Sequence, residues 1–332
     1  MTLALTHSVA LLGLEGHLVT VEVDIADGLP GYSLLGLPDA ALTESRERVR
    51  SAIVNCGEVW PNRKVTVSLS PAWLPKSGSS FDLAICISVL SAHESIEKEK
   101  IEELLFLGEL SLDGRIRSVR GVLPALMAAY KAGVRTAVVP AANFEEAQLM
   151  QAMNIIPMEH LKQVLRWLRT GEREVVQEFD LQWEQTDTRL DFADVAGQSA
   201  ARLAAEIAAI GGHHILLIGP PGAGKTMIAE RIPTIMPALT IDQALEVTAV
   251  HSIAGTLMQR SPLSLLAPMV SPHHTTTRIA MVGGGSHAIK PGACSLAHYG
   301  VLFVDEAPEC GPGVLDALRQ PLESGTITIA RS

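Results

Sequence analysis

The stretch Ile215-Leu216-Leu217-Ile218-Gly219-Pro220-Pro221-Gly222-Ala223-Gly224-Lys225-Thr226, continued by Met227-Ile228-Ala229-Glu230-Arg231-Ile232, changes character twice within a few residues. Ile215–Ile218 is a short apolar run suited to a buried strand, glycines then punctuate 219–224, and 226–232 reads as a helix. That strand, loop and helix context is the one in which the G-x-x-x-x-G-K-[ST] spacing binds phosphate. The glycines let backbone N–H groups turn inward around phosphate oxygens, and the helix that follows adds the positive end of its dipole. Gly219, Pro220, Pro221, Gly222, Ala223, Gly224, Lys225 and Thr226 are therefore candidate nucleotide-binding residues. Lys225 would reach the β- and γ-phosphates, and the Thr226 hydroxyl would sit on Mg²⁺.

A second motif has to hold the metal, and Val301-Leu302-Phe303-Val304-Asp305-Glu306 fits: four apolar residues of a buried strand ending in two adjacent carboxylates. Asp305 would join Thr226 in the Mg²⁺ shell, and Glu306 would orient and deprotonate the attacking water. Asp305–Glu306 alone reads as a solvated strand end. Downstream of a complete phosphate loop the functional reading wins, and Lys225, Asp305 and Glu306 become the candidate catalytic set.

The chain has 332 residues, more than one hydrophobic core usually serves, so two domains are expected. Composition points to an α/β protein, 47% hydrophobic but only 4% aromatic. After Gly171 the sequence GEREVVQEFDLQWEQTDTRLD is polar and poor in periodicity, which marks a linker. The expected division is a domain over 1–170, a linker over 171–190 with the boundary near 180, and a domain over 191–332. In the first half, Leu18–Ile25 alternates apolar and polar residues as a half-buried strand does. Strand signals recur at Lys64–Ser70, Leu105–Leu112 and Thr136–Pro140, and helical ones at Thr43–Val54, Asp82–Ala92, Leu123–Ala132 and Leu161–Leu168. Asp113–Gly114 reads as a hairpin turn.

The four cysteines, Cys56, Cys86, Cys294 and Cys310, are scattered singly, with no spacing that suggests zinc or a redox pair. The net charge of −10 argues against a surface basic overall, so nucleic-acid contact would need a local patch or an assembled channel. The first residues carry no Lys or Arg ahead of an apolar stretch, and no apolar run approaches membrane-spanning length, so cytoplasmic residence without a membrane is the default.

Asp191-Phe192-Ala193-Asp194-Val195-Ala196-Gly197-Gln198 resembles the segment that lies near the adenine in AAA+ ATPases. The resemblance implies ATP with Mg²⁺ as cofactors, adds Asp194 and Val195 to the candidate nucleotide-binding residues, and implies a P-loop AAA+ αβα fold. Ser271-Pro272-His273-His274-Thr275, Val282-Gly283-Gly284-Gly285, Lys290-Pro291-Gly292 and Leu318-Arg319-Gln320-Pro321-Leu322-Glu323 resemble the magnesium-chelatase-like branch. With Leu29-Pro30-Gly31, Gly36-Leu37-Pro38-Asp39, Lys76-Ser77-Gly78 and Phe81-Asp82-Leu83, the resemblance narrows to the ComM/YifB family and spans nearly the whole chain. It implies a homo-hexameric motor that promotes branch migration of DNA joints during recombination of incoming DNA. The alternative is the ATPase subunit of a metal chelatase, against which the long amino-terminal half argues.

Residues 1–170 also resemble the Lon proteolytic domain, of ribosomal-protein-S5-like α/β fold. PKSGSSFDLA sets Ser80 at the place of the catalytic serine, whereas GELSLDGRIRSVRGVLPAL sets Leu123 where the lysine base would be. Leucine cannot accept a proton, so a Lon-like serine peptidase is disfavoured and an assembly or DNA-contact role is expected. Lys131 lies two helical turns away, too far for a ready substitute.

His273 and His274 read as structural or loop residues, since adjacent side chains diverge and no third ligand stands at metal spacing; His213, His214, His287 and His298 are read with the same caution. Thr248–Lys290 reads as a long connection, within which the resemblance implies a hairpin facing DNA, with Arg278 and Lys290 as its cations. Arg115, Arg117 and Arg120 form another small basic set. The chain ends at Ile329-Ala330-Arg331-Ser332, before the sensor, arginine finger and lid of an AAA+ motor are expected, which implies a truncated or incomplete product. Without a finger, turnover would fall by ~10³ to 10⁵.

Overall fold

The computed structural model describes residues 2–172, 190–257, 263–285 and 289–327. The chain folds as two compact units, Met1–Asp180 and Leu181–Ser332. Of the segment expected as a linker, 173–189 lies outside the described residues, as do His287 and the closing residues from Ile329 onward.

The first unit runs β1 (Thr2–Leu12), β2 (Glu15–Ala26), β3 (Gly31–Leu35), α1 (Ala40–Thr43), α2 (Ser45–Asn55), β4 (Lys64–Ser70), α3 (Asp82–Ala92) and β5 (Leu104–Phe106). It continues with β6 (Glu109–Leu110), β7 (Ile116–Arg117), α4 (Val122–Lys131), β8 (Thr136–Pro140), α5 (Phe144–Ala147), β9 (Asn154–Met158) and α6 (Leu161–Thr170). Seven strands form one sheet in the order β3-β4-β2-β1-β5-β8-β9. The β1/β2 and β2/β4 pairs are antiparallel, and the remaining neighbours run parallel.

The alternation of β2 divides the core. Val19, Val21, Val23 and Ile25 join the cluster that holds α2, α3 and α6, while Leu18 packs with Val9, Leu105 and the α4 residues Val122, Ala125, Leu126 and Ala129. Period-two geometry requires those two sets to line opposite faces. Every residue of α3 is buried, as an apolar helix covering a sheet should be. Its one charge, Asp82, receives Nε and Nη2 of Arg48 at 2.6 and 3.0 Å and the Leu110 N–H at 3.2 Å.

Three expected elements differ in detail. The helix read over Thr43–Val54 is two, α1 and α2, parted at Glu44. The strand read over Leu105–Leu112 is β5 and β6, broken where Gly108 takes φ +152°, outside the conformations a strand continues through. The Asp113–Gly114 turn joins the antiparallel β6 and β7, and Gly114 has the positive φ, +91°, that the turn needs.

The second unit runs α7 (Ser199–Gly211), α8 (Lys225–Arg231), α9 (Ile241–Ala254), β10 (Met269–Val270), α10 (Arg278–Val282), β11 (Gly283–Gly284), β12 (Lys290–Pro291) and α11 (Ala293–Leu296). β13 (Val301–Leu302), α12 (Pro312–Ala317) and α13 (Arg319–Ser324) close it. Thr248–Ala254, read as the start of a loop, belongs to α9, whose Thr240 N-cap accepts from the Gln243 N–H at 3.3 Å. The apolar run 215–218 has no ladder partner among the described residues: Ile215 and Leu217 pack inward, while Leu216 and Ile218 are exposed. The strand expected over 301–304 is shorter and half-buried, because only Val301 and Leu302 pair, with β10.

Asp82 gives a test of the first unit. Asp82→Ala takes the acceptor from the Leu110 N–H and leaves Arg48 only the Ala41 carbonyl and the exposed Glu44; since the Arg48 side chain keeps those partners and 20% exposure, the loss should be about 2 kcal/mol, below the ~3–5 of a fully buried pair. Burial pushes the Asp82 carboxyl from 3.8 up to about 6, against the downward pull of Arg48. Folding then favours the protonated acid, so Asp82's contribution is fully present below pH about 4 and is lost as pH rises through about 6. Urea unfolding should show a larger Asp82→Ala penalty at pH 4 than at pH 7.

Candidate active site

The phosphate loop is built on an apolar floor. Ile215 and Leu217 pack on a cluster of Phe192, Val195, Ala205, Ala209, Ile228 and Ile232, so the residues before and after the loop share one support. Gly222 and Gly224 both take φ +78°, a conformation that glycine adopts without strain and that turns N–H groups to one side. Lys225 Nζ donates to the carbonyls of Gly219 and Pro220 at 2.9 and 3.1 Å, across the loop mouth. Gly219, Pro220, Pro221 and Gly222 are exposed, and Ala223 and Gly224 half-buried.

The segment 191–198 is fastened to this loop. Gln198 Nε2 donates to the Ala223 carbonyl at 2.6 Å, and Arg202 Nη1 donates to the Val195 carbonyl at 3.1 Å. Arg231, from the helix after the loop, donates through Nε to the Asp191 carbonyl and lies 3.9 Å from Asp194. Asp194 is exposed at the end of a short turn, whereas the Val195 side chain is wholly buried in the cluster.

The acidic strand reaches the loop at one point. Thr226 Oγ1 donates to Asp305 Oδ2 at 3.0 Å, joining residues 79 apart in sequence. A hydroxyl and a carboxylate side by side form a hard oxygen donor pair of the kind Mg²⁺ takes alongside water and phosphate oxygens. Glu306 follows at φ +49°, its N–H donating to Asp305 Oδ1 at 2.9 Å, so the two carboxylates leave the backbone in different directions.

β10 and β13 explain what lies beside them. Their parallel register sets Met269 opposite Val301 and Val270 opposite Leu302, and the Phe303 N–H continues it by donating to Val270 O. The two strands lead into the segments that carry His273 and His274 on one side and Asp305 and Glu306 on the other. His274 Nδ1 stands 3.6 Å from Glu306 Oε2, so sequence reasoning, which left His274 in a loop, missed a neighbour of the candidate base. The signal was faint, because β10 is two residues long. Gln198 and Arg202 were also missed, being unremarkable helix-start residues in sequence. His298 lies 3.3 Å from Glu246, and Arg278 and Lys290 are exposed at the start of α10 and on the β11–β12 ribbon.

In the first unit, Ser80 is half-buried and its carbonyl accepts the Gly108 N–H. Its neighbour Ser79 donates to the Glu109 carboxylate. Leu123 is fully buried, its N–H held by Glu146 at 2.8 Å, and Lys131 is exposed at the end of α4. Arg115, Arg117 and Arg120 are exposed, with Arg115 paired to Asp113 at 2.7 Å.

Comparison with known proteins agrees with both halves. The family described as magnesium chelatase, subunit ChlI, matches residues 191–332, and that described as subunit ChlI of Mg-chelatase matches 21–143. The chain is 50% identical over 331 residues to an uncharacterized protein of Mycobacterium tuberculosis, covering 100% of this chain and 66% of that protein. It is 41% identical over 337 residues to competence protein ComM of Haemophilus influenzae, covering 100% and 65%. Against Lon protease 1 of Myxococcus xanthus it is 26% identical over 165 residues, 46% of this chain and 20% of that protein. The chain thus spans just under two thirds of the length of the first two relatives.

The approach of β13 to its neighbour is close enough to test. A Cβ at Gly300 would stand 2.0 Å from the Pro268 carbonyl oxygen, which accepts the Val301 N–H at 2.8 Å. Gly300→Ala should therefore cost about 2 kcal/mol or more and push Asp305 away from Thr226. Thermal unfolding of the second unit, followed by scanning calorimetry, checks the expected fall in midpoint.

Proposed function

Because the chain belongs to the ComM/YifB family of magnesium-chelatase-like AAA+ proteins, we propose that it binds ATP with Mg²⁺ and couples hydrolysis to DNA remodelling. The remodelling is branch migration, in the recombination of incoming DNA during natural transformation, carried out in the cytoplasm by a homo-hexameric ring of the full-length protein. The hydrogen bond between Thr226 and Asp305 supports the ATPase reading most directly, since it joins the phosphate loop to the acidic strand.

In this reading the N–H groups of 222–226 and the Lys225 ammonium receive the phosphates on the loop 219–226, while Asp194 and Val195 belong to the segment beside the base. Thr226 and Asp305 hold Mg²⁺, which when bound neutralises charge on the β- and γ-phosphates. Glu306 accepts the proton of the attacking water. Residues 1–170 form a Lon-protease-like domain without a catalytic dyad: Leu123 offers hydrocarbon where a base is needed, so Ser80 has no proton acceptor there. Residues 171–190 join it to the ATPase domain over 191–332.

Similarity to a competence protein supports DNA as the partner, and exposed Arg278 and Lys290 offer cations where the net charge of −10 makes local contact necessary. No described helix is long and apolar enough to cross a membrane. The second reading, the ATPase subunit of a metal chelatase, is favoured by the descriptions of both matching families. Co-purification with a porphyrin-binding subunit would support it.

Lys225→Ala should weaken binding of a fluorescent ATP analogue at least tenfold by removing the phosphate contact. Glu306→Gln should leave that binding intact and lower hydrolysis about 100-fold or more. The full-length protein should bind a four-way DNA junction and move it only with hydrolysable ATP. An active ATPase that neither binds nor moves the junction would rule out the DNA reading.

A further inference from the structure

Glu306 has a long, 67% exposed side chain on a left-handed backbone, and its own N–H is occupied by Asp305. Left to itself, such a carboxylate samples many rotamers, and fixing it costs conformational entropy. His274 is the group within reach: its Nδ1 lies 3.6 Å from Oε2. The imidazole is itself held. It lies against the His273 ring, centroids 4.0 Å apart and planes tilted 35°. His273 is tied in turn, Nδ1 lying 2.9 Å from Thr275 Oγ1 and accepting the Thr275 N–H at 3.3 Å. The backbone beneath is fixed by the β10–β13 ladder and by Thr277, whose hydroxyl accepts the Ala280 N–H at 3.2 Å to cap α10.

From this geometry we propose that His274 is a positioning residue for Glu306, setting the direction in which its carboxylate faces water. The inference rests on the ATPase reading above, and it adds a physical route by which the segment 271–282 acts on hydrolysis. The polar contact that His274 makes is with Glu306 and not with the phosphate loop, so its removal affects turnover and leaves nucleotide affinity alone. It also makes α10 and the β11–β12 ribbon mechanically continuous with the candidate base. A shift of that segment alters the orientation of Glu306 while Lys225 and Thr226 stay in place.

The test compares His274→Ala, His274→Asn, Glu306→Gln and the His274→Ala/Glu306→Gln double variant in the assembled full-length protein, by single-turnover ATP hydrolysis and fluorescent-ATP binding. His274→Ala should lower the rate about tenfold, a part of the ~10²–10⁴ a general base supplies, with affinity unchanged within twofold. His274→Asn, which keeps an N–H donor on a short side chain, should recover part of the loss. In the Glu306→Gln background, His274→Ala should cause no further loss, because the group it orients is already disabled. Wild-type turnover that His274→Ala leaves untouched, or an equal tenfold loss with and without Glu306, would overturn the proposal while the ATPase reading stood. A wild-type protein that binds ATP without hydrolysing it, even with DNA present, would remove the ATPase reading and this proposal together.

Discussion

Where β13 runs decides where the acidic groups of the site stand. Val301 packs toward the cluster of Phe192, Val195 and Ile228 under the phosphate loop, while Leu302 and Val304 pack toward Met281, Ala293 and Val314. Period-two alternation therefore wedges one short strand between two apolar clusters, and β10 fixes its register from the side. A single neutral hydrogen bond contributes only about 1 kcal/mol net, so the contact of Thr226 with Asp305 does not hold the two motifs together. Packing of β13 brings them into range, and the bond reports that it has. The close passage at Gly300, with no side chain between Val301 and Pro268, is a condition of the same arrangement.

The first unit shows how charged groups can persist in an apolar layer. α3 covers its sheet with an apolar surface all round, yet Asp82 heads it, and Lys76 lies almost wholly buried nearby in sequence. Burying a charge costs several kcal/mol unless fixed partners replace water. Both have them: Asp82 has Arg48 and the Leu110 N–H, and Lys76 Nζ donates to the carbonyls of Leu69 and Pro71. Burial still draws the Lys76 ammonium downward from its ordinary range and Asp82 upward, so the partners offset desolvation incompletely. These residues fasten the loop 76–82 to the sheet and to α2, and nothing in that role calls for a base at position 123. Leu123 is itself fully buried, and its N–H is taken up by the Glu146 carboxylate.

Sequence made the first unit's periodic elements readable and its irregular ones less so. β4, β8 and α3 stand at the limits that alternation and apolar runs predict, because each buries a complete face. β1 and β9 escaped notice: residues of β1 face both layers, which blurs alternation, and β9 is a short run broken by Pro157. In the second unit the loop and Asp305–Glu306 were legible, since their chemistry requires particular residues at particular spacings. Gln198 and His274 were not, because each meets the site through one contact made only in the folded chain, which no local pattern encodes.

Two residues without glycine's freedom, Gln198 and Glu306, take φ +49° on either side of the candidate site. Such conformations cost on the order of 1 kcal/mol or more and persist only where surroundings impose them. At Gln198 the return is the amide contact to Ala223, which ties the 191–198 segment to the phosphate loop. The approach to the loop is anchored by Ile215 and Leu217, which pack on the cluster beneath it. Gln198, Arg202 and Arg231 add hydrogen bonds that fasten the 191–198 segment to the loop and to the helices on either side of it. The 191–198 segment and the phosphate loop are therefore tied to each other, while Glu306 meets the segment after β10 at His274. The residues proposed for binding and for hydrolysis thus rest on separately anchored parts of the same unit, which would allow one to change without the other.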